Sequence, residues 1–108
     1  MTTKFKKSDY LDSKDLLNKL ARGSLTFSRM LEAIRLGEEM SQASFAKKLG
    51  ISRSHLCDIE KGRKTVSPAR AAKFAKVLGY SDKQLIGLAL QDLVQRDGLK
   101  LKVTVEAA

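Results

Sequence analysis

The chain has 108 residues, 43% apolar and 31% charged, enough for one compact domain and too few for two. Lysine and arginine number 21 against 12 aspartate and glutamate, and this net charge of +9 points to an anionic partner, nucleic acid first. The longest apolar run, Leu85 to Leu90, is six residues with a glycine inside it, which excludes a membrane-spanning helix of about 20; one cysteine, Cys57, and one histidine, His55, exclude an internal disulfide and a structural zinc site.

In chain order, residues 1–23 come first, polar and basic apart from Leu11, Leu16, Leu17 and Leu20. Met1 to Lys7 runs into Ser8, Asp9 and Tyr10 and not into a signal-peptide core, so a cytoplasmic location is expected. The amphipathic piece from Ser13 to Gly23 is too short to be a stable helix alone, and residues 1–23 are expected to be mobile unless bound.

Residues 24–98 predict five helices, each with apolar residues at helical spacing between opening and closing signals. The first starts after Ser24 or Thr26, carries Phe27, Met30, Leu31 and Ile34, and ends near Gly37. The second opens at Ser41, whose hydroxyl caps an orphaned backbone N–H, and runs through Phe45, Ala46 and Leu49 to Gly50, which is expected to take a positive φ. The third opens at Ser52, carries Leu56 and Ile59, and stops at Gly62. The fourth has Ser67 as N-cap and Pro68 at its first position, where the missing N–H costs nothing, and closes at Gly79. The fifth starts with a Ser81/Gln84 capping box and runs through Leu85, Ile86, Ala89, Leu90, Leu93 and Val94 to Gly98.

Residues 99–106 alternate apolar and polar without a break and predict a β-strand. A lone strand needs a partner from another chain, from the N-terminal segment, or from a helix it docks on. The expected architecture is therefore all-α, a five-helix domain with a C-terminal strand at 99–108 and a mobile N-terminal segment. The charge is uneven: residues 41–64 carry net +4 and 65–80 net +3, whereas 81–108 are balanced, which predicts a one-sided basic footprint over residues 41–76.

Two short helices joined by a Gly-containing turn, the second followed by basic residues, describe either a DNA-binding helix-turn-helix or an ordinary helical hairpin. The run from Met40 to Lys64 resembles the lambda-repressor-like, or XRE, helix-turn-helix family. The resemblance is carried by Ser41-Gln42, Phe45-Ala46, Leu49-Gly50-Ile51-Ser52 and Ile59-Glu60-x-Gly62, extends through Ser67-Pro68 and Phe74-Ala75-x-x-Leu78-Gly79, and covers about residues 26–80. It implies a five-helix bundle that binds double-stranded DNA. In such a domain the N-terminal residues of the third helix reach base edges, so Ser52, Arg53, Ser54 and, one turn on, Asp58 are the candidate base readers. Arg53 is foremost because its guanidinium pairs bidentately with guanine; the alternative is a phosphate contact. Gln42, at the start of the second helix, is expected to bind phosphate through its amide and the helix N-terminus, with Ser44 beside it. Lys61, Arg63 and Lys64 match the family's backbone-gripping loop, the alternative being a solvated basic turn. Arg35 and Glu60 match positions that form a buried ion pair in some phage repressors, which implies a structural pair.

The flanks resemble small antitoxins of HigA type, on Cys57 to Lys64, Ser67-Pro68-x-Arg70-Ala71-Ala72 and Leu88 to Asp92. That resemblance implies repression of the protein's own operon and capture of a partner toxin, with Leu11, Leu16, Leu17 and Leu20 as candidate toxin contacts. Two-fold operators imply a homodimer, and Leu88, Leu99, Leu101, Val103 and Val105 are the candidate interface; alternatively Leu88 and the strand complete the core of one chain. His55 and Cys57 point to different faces of a helix and support neither metal binding nor nucleophilic catalysis. With no histidine pair, phosphate-cradling glycine loop or clustered carboxylates, no enzymatic activity, cofactor, metal or small-molecule substrate is expected.

Overall fold

A computed structural model of the chain describes residues 25–108. The expectations for residues 1–23, including Leu11, Leu16, Leu17 and Leu20, fall outside the described residues. Five helices follow one another: α1 Phe27–Gly37, α2 Gln42–Leu49, α3 Arg53–Glu60, α4 Pro68–Leu78 and α5 Asp82–Arg96.

Each helix starts where a hydroxyl accepts a backbone N–H three residues on. Thr26 caps Arg29, Ser41 caps Ser44, Ser52 caps His55, Ser67 caps Arg70 and Ser81 caps Gln84. At α5 only this half of the expected capping box forms: among the described residues Gln84 returns no side-chain bond to Ser81. Gly50 ends α2 at φ 76°, and its N–H and that of Ile51 close onto Lys47 and Ala46. A Cβ on Gly50 would meet nothing within 4 Å, so glycine is needed there for its left-handed backbone and not for space.

The core is apolar throughout. Phe27, Leu31, Phe45, Leu56, Ile59, Phe74 and Leu85 are all essentially inaccessible, and Phe27 and Phe74 join α1 to α4 with ring centroids 6.4 Å apart. Ala46, 1% exposed, lies at the α2–α3 contact, where a larger side chain would force the helices apart. α4 and α5 pack as a second pair, and α1 touches both α3 and α5. The Phe27 N–H donates to Asp92 Oδ2 at 3.3 Å, tying α5 to the start of α1; burial pushes the Asp92 carboxyl above the ordinary aspartate range, against that hydrogen bond. Among the described residues no helix is long and apolar enough to cross a membrane.

The expected C-terminal strand does not form. Residues 99–108 hold no strand and no paired ladder; they turn back at Gly98, φ 77°, and lie along α5. The Gln91 side chain supplies the missing backbone partner, its Nε2 donating to the Leu101 carbonyl at 2.8 Å and its Oε1 accepting from Val103 N–H at 2.7 Å. One side-chain amide thus satisfies two main-chain groups that the alternating pattern assigned to a neighbouring strand. Val105 packs over Gly87, one helical turn before Gln91. Two extended residues advance about 6.6 Å and four helical residues about 6 Å, which keeps arm and helix in step.

Of the expected interface residues, Leu88 is half-buried and packs against its own chain's core, Val103 and Val105 are half-buried, and Leu99 and Leu101 are 50% and 64% exposed. Leu93, expected on the core face, is 36% exposed because α5 buries only Leu85 and Ala89 fully. A Cβ on Gly87 would sit 3.6 Å from Val105 Cγ2, an ordinary contact. Gly87→Ala should therefore stabilise the fold by about 0.5–1 kcal/mol through helix propensity, read as a higher urea midpoint at unchanged slope; a lower midpoint would show that the arm is held more tightly against α5 than this spacing indicates.

Candidate nucleic-acid interface

The interface is built from α2, the three-residue turn Gly50 to Ser52, and α3. Leu56 and Ile59 are fully buried and fix the inner face of α3, so its first turn is turned outward. Ser52, Arg53 and Ser54 are all exposed, and among the described residues the Arg53 side chain makes no hydrogen bond or ion pair. An unpaired guanidinium at the outer end of this helix is free to reach a base edge or a phosphate.

The loop after α3 is organised by Asp58. Its main-chain carbonyl accepts from Arg63 N–H at 2.8 Å and Lys64 N–H at 3.3 Å, and its carboxylate holds Arg63 Nε at 2.9 Å and Lys64 Nζ at 3.8 Å. Lys61, Arg63 and Lys64 are exposed, with Gly62 between them at φ 74°. The Arg63 hydrogen bond, aided by the nearby charges of Arg63, Lys64 and His55, holds the Asp58 carboxyl below its ordinary range. The folded chain therefore releases that proton more readily than the unfolded one. The resulting stability is complete above the ordinary aspartate value and lost as pH falls through the lower folded value. Asp58→Asn should flatten the acid limb of the stability curve below about pH 4, checked by urea titrations from neutral pH down into that limb; an unchanged limb would mean that the pair opens in solution.

Behind this face lies a polar network. Arg35 Nε and Nη2 donate to Glu60 Oε2 and Oε1 at 2.8 and 3.1 Å, Arg35 Nη1 donates to the Met40 carbonyl at 3.1 Å, and Gln42 Nε2 donates to Glu60 Oε1 at 3.0 Å. The Glu60 side chain is 2% exposed and Arg35 12%, so α1, α2 and α3 are joined by one buried carboxylate. Gln42, expected on a phosphate, thus has its side-chain amide on Glu60, and with the Ser44 N–H on the Ser41 cap the backbone N–H groups of Gln42 and Ala43 are left as the donors at this end. Ser44 is exposed, its Oγ accepting from the Ser41 hydroxyl at 3.1 Å.

Arg70 has no counterpart among the expected site residues. From the first turn of α4 its Nη1 lies 3.3 Å from both ring nitrogens of His55, adding a cation beside α3; in the sequence it figured only in the positive balance of residues 65–80 and in the Ser67-to-Ala72 resemblance, neither of which pointed to a place on this face. Cys57 is half-buried with Arg63 Nη2 at 3.9 Å from its sulfur. Among the described residues no group of three or more His, Cys, Asp or Glu is placed to hold a metal ion.

Two short helices meeting across a glycine turn, the second presenting an exposed first turn and followed by a basic loop, define a helix-turn-helix DNA-binding domain. A family model described as helix-turn-helix matches residues 31–85, and the chain belongs to that family, the lambda-repressor-like or XRE type of DNA-binding regulator. No curated protein and no solved structure matches the chain.

Proposed function

We propose that the chain is a sequence-specific transcriptional repressor that binds a palindromic operator in double-stranded DNA as a homodimer, and that it serves in the cytoplasm as the antitoxin of a type II toxin–antitoxin system. The observation that carries the repressor reading is the free first turn of α3, Ser52 to Ser54 with an unpaired Arg53, beside the basic loop Lys61 to Lys64. Ser52, Arg53 and Ser54 read bases; the N-terminus of α2 with Gln42 and Ser44, together with Lys61, Arg63 and Lys64, holds phosphates. Asp58 reads a base only by releasing Arg63, so its main task in this reading is to aim the loop. The antitoxin part is supported by the likeness of residues 57–72 and 88–92 to HigA-type antitoxins and by the leucines at 11, 16, 17 and 20, which suit folding onto a partner toxin.

The test is a gel-shift titration near physiological salt with DNA from upstream of the chain's own gene and scrambled DNA of equal length. Tight, sequence-dependent binding is expected; equal and weak binding to both would overturn the repressor reading. Deleting residues 1–23 should leave DNA binding intact and abolish capture of a co-expressed neighbouring toxin. Unchanged capture would remove these leucines from the toxin site, and loss of DNA affinity would make the segment an arm on the DNA.

A further inference from the structure

The arm at residues 99–106 uses one of its two backbone edges. Gln91 takes the Leu101 carbonyl and the Val103 N–H, so the odd-numbered residues turn their peptide groups toward α5. Successive residues of an extended chain present these groups to opposite edges. The N–H and C=O groups of Lys100, Lys102, Thr104 and Glu106 therefore face away, and among the described residues they have no hydrogen-bond partner. Beside this open edge stand Leu99 and Leu101, two of the most exposed large apolar side chains. An unpaired strand edge is a template for another strand.

We infer that the open edge pairs antiparallel with the same segment of a second copy of this chain, about a two-fold axis at Val103. The inference rests on the dimeric repressor reading and specifies how the dimer is made. Only the free edge can hydrogen-bond across the axis, which confines well-overlapped two-fold registers to centres at Lys102, Val103 or Thr104. A centre at Lys102 sets that lysine against its own copy, like charges in direct opposition. A centre at Thr104 sets Leu101 against Ala107. The centre at Val103 places Lys100 opposite Glu106 on both sides of the axis and Leu101 opposite Val105, so the most exposed apolar side chain of the arm gains an apolar neighbour. Residues 81–108 are also balanced in charge, so two copies approach here without the repulsion that the basic face would impose. With α5 behind each arm, the joined pair becomes a two-stranded ribbon held by Gln91 on both outer edges, and the two DNA-reading helices are linked through it.

The experiment uses the full chain with Cys57→Ser, so that any new thiol is alone. Val103→Cys places two thiols at the axis, where directly opposed non-hydrogen-bonded residues have Cα atoms about 4.5 Å apart, within disulfide reach. Mild oxidation should convert it to a covalent dimer on a non-reducing gel, while Thr104→Cys stays largely uncrosslinked. By sedimentation equilibrium without DNA, Lys100→Glu and Glu106→Lys should each weaken the dimer about two- to thirtyfold, and the double exchange should restore it. Lys100 and Glu106 are exposed, so these variants do not threaten the fold. A chain that stays monomeric, a dimer indifferent to both single exchanges, or crosslinking through Thr104→Cys in place of Val103→Cys would overturn the inference. Since neither measurement contains DNA, such a failure leaves the gel-shift test of DNA recognition standing, and failure of that test leaves this one readable.

Discussion

Glu60→Ala should cost about 3–5 kcal/mol of folding stability, a large fraction of what a domain of this size has. The alanine removes the acceptor of three hydrogen bonds at once, two from Arg35 and one from Gln42. It leaves a guanidinium that is 12% exposed with only the Met40 carbonyl for company. An uncompensated buried cation is far more costly than the absence of the whole pair, so Arg35→Met with Glu60→Met should recover much of the loss. Urea denaturation of the three proteins checks this, and thermal melts should show Glu60→Ala falling by about 10 °C or more. If Glu60→Ala costs under about 1 kcal/mol, water reaches Arg35 in the variant and the carboxylate is not the tie described above. Because Glu60 is the last residue of α3 and its partners lie on α1 and α2, DNA affinity should fall with stability.

Arg53→Ala should lower affinity for the operator by about 1–3 kcal/mol per half-site, hence about 2–6 kcal/mol for a two-fold site, with the loss concentrated at one base position in each half. The expectation rests on a guanidinium that is exposed and unpaired at the outer end of α3. Arg53→Lys should not restore it, since an ammonium cannot make the bidentate contact with guanine. Lys64→Ala is the contrasting case: it should weaken all sequences alike and reduce the slope of affinity against salt by about two for the two-fold site, one for each half. Binding titrations over a set of singly substituted operators, repeated at two salt concentrations, separate the two behaviours. A uniform loss from Arg53→Ala would move that residue to the phosphate-binding set.

The five helices were legible because their causes are local. Ser41, Ser52 and Ser67 each meet an N–H three residues away, and Gly50 and Gly79 each stop a helix by a backbone angle that other residues resist. The core followed from the same periodicity, with Leu56 and Ile59 three apart on the short α3. The site was legible in its residue types and less so in their partners. Gln42 has a donor suited to a phosphate oxygen or to a carboxylate, and the choice falls to Glu60, eighteen residues away, because the packing of α2 on α3 brings them to 3.0 Å. Asp58 likewise had an acceptor for a base, and the return of the chain at Gly62 presents it with Arg63 and Lys64 first.

By itself, then, the sequence determined where helices start and stop, most of the residues that leave water and where the positive charge lies, since each depends on neighbours within a turn or two; that the two short helices are a helix-turn-helix came from the family resemblance of residues 26–80. Tertiary structure alone decided which polar group meets which, and what becomes of residues 99–106. Alternation specifies a half-buried extended chain, but its hydrogen bonds have to come from elsewhere, and only the fold, by laying α5 alongside, made Gln91 the partner of one edge and left the other open.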